Sequence, residues 1–255
     1  MIKVVDLHKS FGGQAVLKGI NLELETGKIT TIIGGSGSGK TVLLKHLNAL
    51  LLPDRGSVLV DGKDITKLGE RELNEIRQKF GVLFQGAALL DSMTLYDNVA
   101  FPLREKTRMS ESEIRKRVEE RLAQVGLAGM GYKYPAEVSG GMKKRAGLAR
   151  ALAMEPEIVL FDEPTTGLDP LTSEKIAQLI VDINVRMQTT SVVVTHDIVT
   201  ARTVSNRLAF LHQGRFQFIG SFEEASRGGH PVLQDYFRSM GFPCGTGTFP
   251  AVREN

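Results

Sequence analysis

The chain has 255 residues, 42% of them apolar and 24% charged, with a formal net charge of +3 and a single cysteine. That size suits one large domain with a subdomain, and the composition is that of a soluble globular protein. The charge is too weakly basic to argue for nucleic acid, and the lone Cys244 excludes an internal disulfide framework, as expected for a reducing cytosol.

The first third reads as strands. Residues 2–7, 15–24 (interrupted at Lys18-Gly19), 29–33 and 57–60 are apolar or alternating, with Gly12-Gly13 and Asp61-Gly62 as turn signals. Charges within residues 1–6 fall where a signal peptide would need an apolar stretch. Phe11 precedes the first turn, where two readings stand open: a core ring, or a partly exposed ring on which an adenine base stacks. The strand 29–33 runs into Gly34, Gly35, Ser36, Gly37, Ser38, Gly39, Lys40 and Thr41, and a helical run over 42–52 begins at Val42. The eight residues fit G-x-x-x-x-G-K-[ST] in the strand–loop–helix setting that a phosphate-binding loop requires. Its glycines let backbone N–H groups wrap a phosphate, Lys40 reaches the β- and γ-phosphates, and the Thr41 hydroxyl ligates Mg²⁺. The apolar run 47–52 reads as a buried helix end. No run approaches the ~20 apolar residues of a membrane-spanning helix, so any work at a membrane needs spans from another chain.

A helical middle follows, with candidates at 70–79 and 110–124. In the second, Ser110 and Glu113 form a capping box, and Ile114, Val118, Leu122 and Val125 fall on one face. Gln85 ends the short apolar run Val82-Leu83-Phe84, and an amide there can touch Mg²⁺ or an attacking water. Val138-Ser139-Gly140-Gly141-Met142 precedes a helical pattern over 142–153, which places a second set of bare N–H groups at the positive end of a helix dipole. Lys143-Lys144-Arg145 directly behind it is either a solvated face or a group drawn to phosphate.

Two buried-strand signatures come next, 158–161 and 191–195. Strands alternating with helices argue for a mostly parallel sheet, with ligands at the carboxyl ends of its strands. Asp162 and Glu163 close the first of these. Beside a phosphate loop, Asp162 holds Mg²⁺ through its waters and Glu163 deprotonates the attacking water, so that phosphoryl transfer goes to water. His196 closes the second. It is either a loop histidine satisfied locally or a hydrogen-bond donor to the γ-phosphate, and its place on top of a strand beside the loop favours the donor. The segment 241–255 is rich in Gly, Pro and Thr and reads as an extended tail, in which Phe242 and Phe249 are candidate anchors on a partner or a second chain.

Taken together, residues 34–41, Gln85, residues 138–142, Asp162-Glu163, Gly167-Leu168-Asp169 and His196 resemble, in order and spacing, the ATP-binding cassette ATPases over about residues 1–235. The resemblance implies an α/β P-loop NTPase with a RecA-like parallel core, an N-terminal antiparallel β subdomain and an inserted helical subdomain near 87–157, within a domain of residues 1–239. It further implies a head-to-tail homodimer in which Ser139, Gly140 and Gly141 of one chain complete the Mg²⁺–ATP site built by the other's loop, with Phe11 at adenine and Asp169 at the seam. The signature departs from Leu-Ser-Gly-Gly-Gln at Val138 and Met142. Residues 84–94 and 138–145 look like those of the ATPases of Mla-type phospholipid transporters. That likeness implies a place at the cytoplasmic face of an inner membrane, integral permease subunits, an Mce-domain lipid-binding protein and, in some systems, a STAS-domain partner. The segment after Gln85 would receive a coupling helix of the permease. Three rival readings are an ATPase for small polar solutes, a soluble cassette acting on ribosomes or nucleic acid, and a P-loop kinase.

Overall fold

Alternation of apolar and polar residues over β1 (Ile2–Phe11) and β2 (Gln14–Leu24) gives an antiparallel hairpin whose inward side chains include Ile2, Val4, Leu7, Leu17, Ile20 and Leu24. This computed structural model describes residues 2–228 and 230–242. The sequence interruption at Lys18-Gly19 is a bulge within one continuous strand: Leu7 pairs with Ile20 and His8 with Lys18, which leaves Gly19 over. After β3 (Ile29–Ile33) and α1 (Lys40–Leu47), β4 (Arg55–Val60) and the short β5 (Lys63–Asp64) complete a four-stranded sheet in the order β2-β1-β4-β5.

The rest of the chain builds around β3. It runs through α2 (Glu70–Arg77), β6 (Phe80–Leu83), α3 (Leu95–Lys106), α4 (Glu111–Gln124), α5 (Gly140–Leu152) and β7 (Ile158–Asp162). It continues through α6 (Pro170–Met187), β8 (Thr190–Thr195), α7 (Ile198–Val204), β9 (Arg207–His212), β10 (Arg215–Gly220), α8 (Phe222–Arg227) and α9 (Pro231–Ser239). The second sheet has the order β10-β9-β3-β8-β7-β6, parallel except at β10. Both of its faces are covered, which is why β3, β7 and β8 are buried along their whole length. On β7, Val159 and Phe161 face the core formed with α3–α6, whereas Ile158 and Leu160 face α1 and the antiparallel sheet. A third cluster, around Ile33, Ile198, Phe210, Phe222, Leu233 and Phe237, lies at the C-terminal end.

Several expectations change. The helical run at 42–52 stops at Leu47, because Asn48 caps it and Ala49 turns to φ +54°. Leu50 and Leu52 therefore stand 54% and 49% exposed rather than forming a buried helix end. The helix expected over 70–79 ends at Arg77. Phe242, expected as an anchor on a partner or second chain, packs on its own chain. Its ring lies edge-on to Phe222 and Phe237 of its own chain, at 5.6 Å from each. Phe249 and the remainder of the expected tail lie outside the described residues.

Between β6 and β7, α3 holds the chain that follows Gln85. Asn98, fully buried, donates through Nδ2 to the carbonyls of Leu90 (3.1 Å), Met93 (3.2 Å) and Thr94 (2.9 Å), and its Oδ1 accepts from the Leu90 N–H at 2.7 Å. Truncation strips partners from buried backbone groups at about 1–3 kcal/mol for an unsatisfied group. Asn98→Ala is expected to lower the unfolding free energy by about 2–4 kcal/mol in urea titration, while Glu105→Ala, exposed on the same helix, stays within about 0.5 kcal/mol. An unchanged Asn98→Ala midpoint would show that segment 90–94 is held by something else.

Candidate active site

Strand register sets the site. Ile33 of β3 pairs with Thr195 of β8, and Asp162 of β7 pairs with Val194 of β8. The loop after β3, Glu163 after β7 and His196 after β8 therefore emerge together at the carboxyl edge of the parallel sheet, where open α/β folds bind ligands.

The loop 34–41 is shaped by close approach. A Cβ on Gly34 would stand 2.2 Å from the Leu211 carbonyl oxygen, and one on Gly39, at φ +104°, would stand 2.9 Å from Leu17 Cδ2. At Gly35 and Gly37 a Cβ would meet nothing within 4 Å, so the loop is open on that side. Lys40 is 7% exposed. Its Nζ donates to the carbonyls of Gly34 (2.8 Å) and Gly35 (3.1 Å) and lies 3.8 Å from Glu163 Oε1. Burial pulls its pKa down, against the charges of Glu163 and Asp162. The hydroxyl of Ser38 is buried without a protein partner, Ser36 is exposed, and Val42 packs towards the antiparallel sheet. Thr41 Oγ1 donates to Asp162 Oδ1 at 2.9 Å, and burial holds the Asp162 carboxyl above the usual range despite that bond. A buried ammonium, an unpartnered hydroxyl and a hydroxyl–carboxylate pair of hard oxygens fit a polyphosphate carrying Mg²⁺.

Glu163 leaves β7 in the left-handed region, at φ +50°, with its N–H bonded to the Val194 carbonyl at 2.9 Å. That turn brings its carboxylate beneath β8. Oε2 accepts from Thr166 Oγ1 at 3.0 Å, from the His196 ring Nδ1 at 2.9 Å and from the His196 N–H at 3.4 Å. Gln85 follows β6 with its side chain exposed, and its backbone carbonyl is the anchored group.

Sequence reasoning missed that anchor. Lys144, on α5 and 5% exposed, donates from Nζ to the Gln85 carbonyl and to the Glu163 carbonyl, the latter at 3.0 Å. Burial lowers its pKa against the pull of Glu163 and Asp162. Lys144 and Arg145 of the basic stretch are therefore not a solvated face. Lys144 is an internal strut, and Arg145 bonds the carbonyls of Val125 (3.4 Å) and Gly126 (3.1 Å). Helical period carried the signal, since Gly141, Lys144, Leu148 and Ala151 share the buried face of α5. Arg150 was missed as well. It donates to the carbonyls of Ala87 (2.8 Å) and Ala88 (2.6 Å), two residues at positive φ, and so fixes the turn after Gln85.

The turn 138–142 packs against the start of α6 and the residues before it. Ser139 caps α5, its Oγ accepting from the Met142 N–H at 3.3 Å. A Cβ on Gly141 would lie 2.6 Å from Thr172 Cγ2, and one on Gly140 would lie 3.3 Å from Leu168 Cδ2. Asp169 caps α6 by accepting from the Thr172 N–H at 3.0 Å, so Ser139–Gly141 and Asp169 form one surface. Phe11 ends β1 with its ring 47% exposed and Lys9 Nζ 5.5 Å from its centroid, which leaves it outside the core.

The family model for the ABC transporter matches residues 17–166. The chain is 48% identical over 235 residues to the probable ribonucleotide transport ATP-binding protein mkl of Mycobacterium leprae, covering 92% of this chain and 68% of that one. It is 46% identical over 198 residues to the intermembrane phospholipid transport ATP-binding protein MlaF of Haemophilus influenzae (78% and 75% covered). Over 226 residues it is 41% identical to the methionine import ATP-binding protein MetN of Caulobacter vibrioides (88% and 68% covered). Among solved structures it superimposes on the dimeric ABC transporter cassette MJ0796 with a TM-score of 0.80 and 38% identity, over 87% of this chain and 98% of that one. The chain therefore belongs to the ABC transporter family, as an ATP-hydrolysing subunit built on the P-loop NTPase fold.

Proposed function

We propose that this ATPase energises phospholipid transport between membranes of a bacterial envelope, acting at the cytoplasmic face of the inner membrane as a head-to-tail homodimer bound to integral permease subunits. The observation that carries the lipid assignment is the 46% identity to the phospholipid transport protein MlaF. The mkl proteins are named for ribonucleotides and MetN for methionine, so an ATPase for small polar solutes is the second reading. No helix among the described residues is long and apolar enough to cross a membrane, which leaves the spans to the permease in either reading. Further partners in the lipid reading are an Mce-domain protein and a STAS-domain protein.

In the proposed dimer, the N-terminus of α5 in one chain presents the Ser139 hydroxyl and the N–H groups at Gly140 and Gly141 to ATP held on loop 34–41 of the other. The pairing is supported by the exposed surface that Ser139–Gly141 share with Leu168, Asp169 and Thr172. Backbone N–H groups from Gly34 to Thr41 and of Val42 in the first turn of α1 receive the phosphates, with Lys40 turning from its carbonyl partners to the β- and γ-oxygens. Mg²⁺, held by Thr41 and through water by Asp162 and Gln85, would neutralise charge on those oxygens. Glu163 accepts a proton from water as its oxygen bonds the γ-phosphorus and the bond to the ADP oxygen breaks. His196 holds that carboxylate in the present geometry and offers its ring to the γ-phosphate, while Phe11 stacks on adenine.

Closure reaches the membrane through an apolar groove of about 470 Å³ bordered by Phe80, Phe84, Leu90, Phe101 and Met154. Phe84, Leu90 and Phe101 are 37–42% exposed there, and Arg150 ties the groove to the turn after Gln85. A helix presented by the permease fits such a groove.

Glu163→Gln keeps the shape and removes the base. It is expected to lower phosphate release ~10²-fold or more and to accumulate an ATP-bound dimer on size exclusion. Turnover close to wild type would remove the base role from Glu163. For the cargo, the complex purified from membranes in mild detergent is expected to carry phospholipid by mass spectrometry. A complex free of lipid that retains a solute-binding subunit would support the polar-solute reading instead.

A further inference from the structure

The C-terminal helix α9 docks beside the catalytic edge and places one polar group there. Leu233 and Phe237 of α9 are fully buried in the cluster that also contains Ile33 and Ile198. Ile33 immediately precedes Gly34, and Ile198 follows His196 by two residues, so this cluster grips both sides of the site. Tyr236 lies between them. Its ring packs on Phe210, with centroids 5.1 Å apart, and Phe210 pairs with Ile33 across the sheet. Its hydroxyl donates to the His196 carbonyl at 3.2 Å. One side chain from outside the catalytic motifs thus links the strand neighbour of Ile33 to the residue that bonds Glu163.

We propose that Tyr236 is a positioning residue for ATP hydrolysis, holding the His196 carbonyl from a ring packed on Phe210, beside the strand that leads into the phosphate loop, and thereby setting the His196–Glu163 geometry. The inference rests on the roles given above to His196 and Glu163. The chain of contacts is short. The His196 carbonyl is held by Tyr236, while the N–H and ring Nδ1 of the same residue hold Glu163 Oε2. Burial, reinforced by the nearby Glu163 charge, pushes the Tyr236 hydroxyl up to about 12, so it remains protonated and able to donate throughout the neutral range. Docking of α9 becomes a condition for fast turnover as well as for folding.

The test uses the full-length chain and Tyr236→Phe, which keeps the ring against Phe210 and loses only the hydroxyl. Steady-state phosphate release, affinity for a fluorescent ATP analogue and thermal melting are measured together. Loss of one hydrogen bond that orients the reacting groups predicts a kcat lower by about fivefold, with KM and nucleotide affinity within about twofold. The melting temperature is expected to stay within about 2 °C. Val232→Ala, exposed on the same helix, should match wild type throughout. In a His196→Ala background Tyr236→Phe should add less than about twofold, because residues acting through one another are not additive. A Tyr236→Phe kcat within about twofold of wild type overturns the proposal, as does an equal loss in the His196→Ala background or a loss that tracks melting. Near-normal turnover of His196→Ala alone would remove the role of His196 and this inference with it. Impaired His196→Ala beside a normal Tyr236→Phe removes only the inference.

Discussion

The parallel pairing of β3, β8 and β7 is the constraint from which the site follows. With Ile33 opposite Thr195 and Asp162 opposite Val194, three chemically different segments leave the sheet at one edge. A strand slipped by one residue would turn every side chain to the other face, so the two covered faces of the sheet fix this register. Glu163 depends on it directly. Its left-handed backbone is sustained by the bond to the Val194 carbonyl, and its carboxylate by His196 at the end of the same strand. Backbone strain of this kind persists only where the surroundings over-determine it.

Charge burial gives the site its second character. Lys40, Lys144, Asp162 and Glu163 are each under 9% exposed, and burial opposes the charged forms of both lysines and of Asp162. Lys40 is the nearer cation to the Glu163 carboxylate, at 3.8 Å, whereas Lys144 spends its donors on backbone carbonyls of Gln85 and Glu163. The two therefore differ in kind. In the proposed mechanism Lys40 exchanges loop carbonyls for phosphate oxygens, whereas Lys144 holds together the turn after β6, the end of β7 and α5, which Ser139 caps. Movement of the groove around Phe84 and Phe101 has a short covalent and hydrogen-bonded route to Glu163 through Gln85, Arg150 and Lys144.

The motifs were legible because they are local. A strand, a glycine-rich loop and a helix start are contiguous in sequence, as are a buried strand and its two terminal carboxylates. What could not be read depends on distant partners. Lys144 looks like a surface cation until α5 is seen to bury the face that carries it, and Arg150 has carbonyl partners more than sixty residues away. The helices α3 and α6 escaped notice because Pro102 interrupts the first and Ile and Val enrich the second, both of which obscure a helical pattern. Leu50 and Leu52 show the opposite effect: their apolar run predicts a continuing helix, but the backbone turns at Ala49 and leaves both exposed. Tyr236 sits beyond every recognised motif, and only the docking of α9 brings it to His196.

In the proposed dimer each ATP site is divided between two chains, with the loop 34–41 on one and Ser139 on the other. Mixing two inactive variants tests this division. Lys40→Ala disables the loop side and Ser139→Arg the opposite side, so a dimer containing one chain of each holds one doubly damaged site and one intact site. Equal amounts, refolded or co-expressed together, are expected to recover on the order of a quarter of wild-type phosphate release, since half the dimers are mixed and each has one of two sites intact. A mixture no more active than its parents would contradict the divided site.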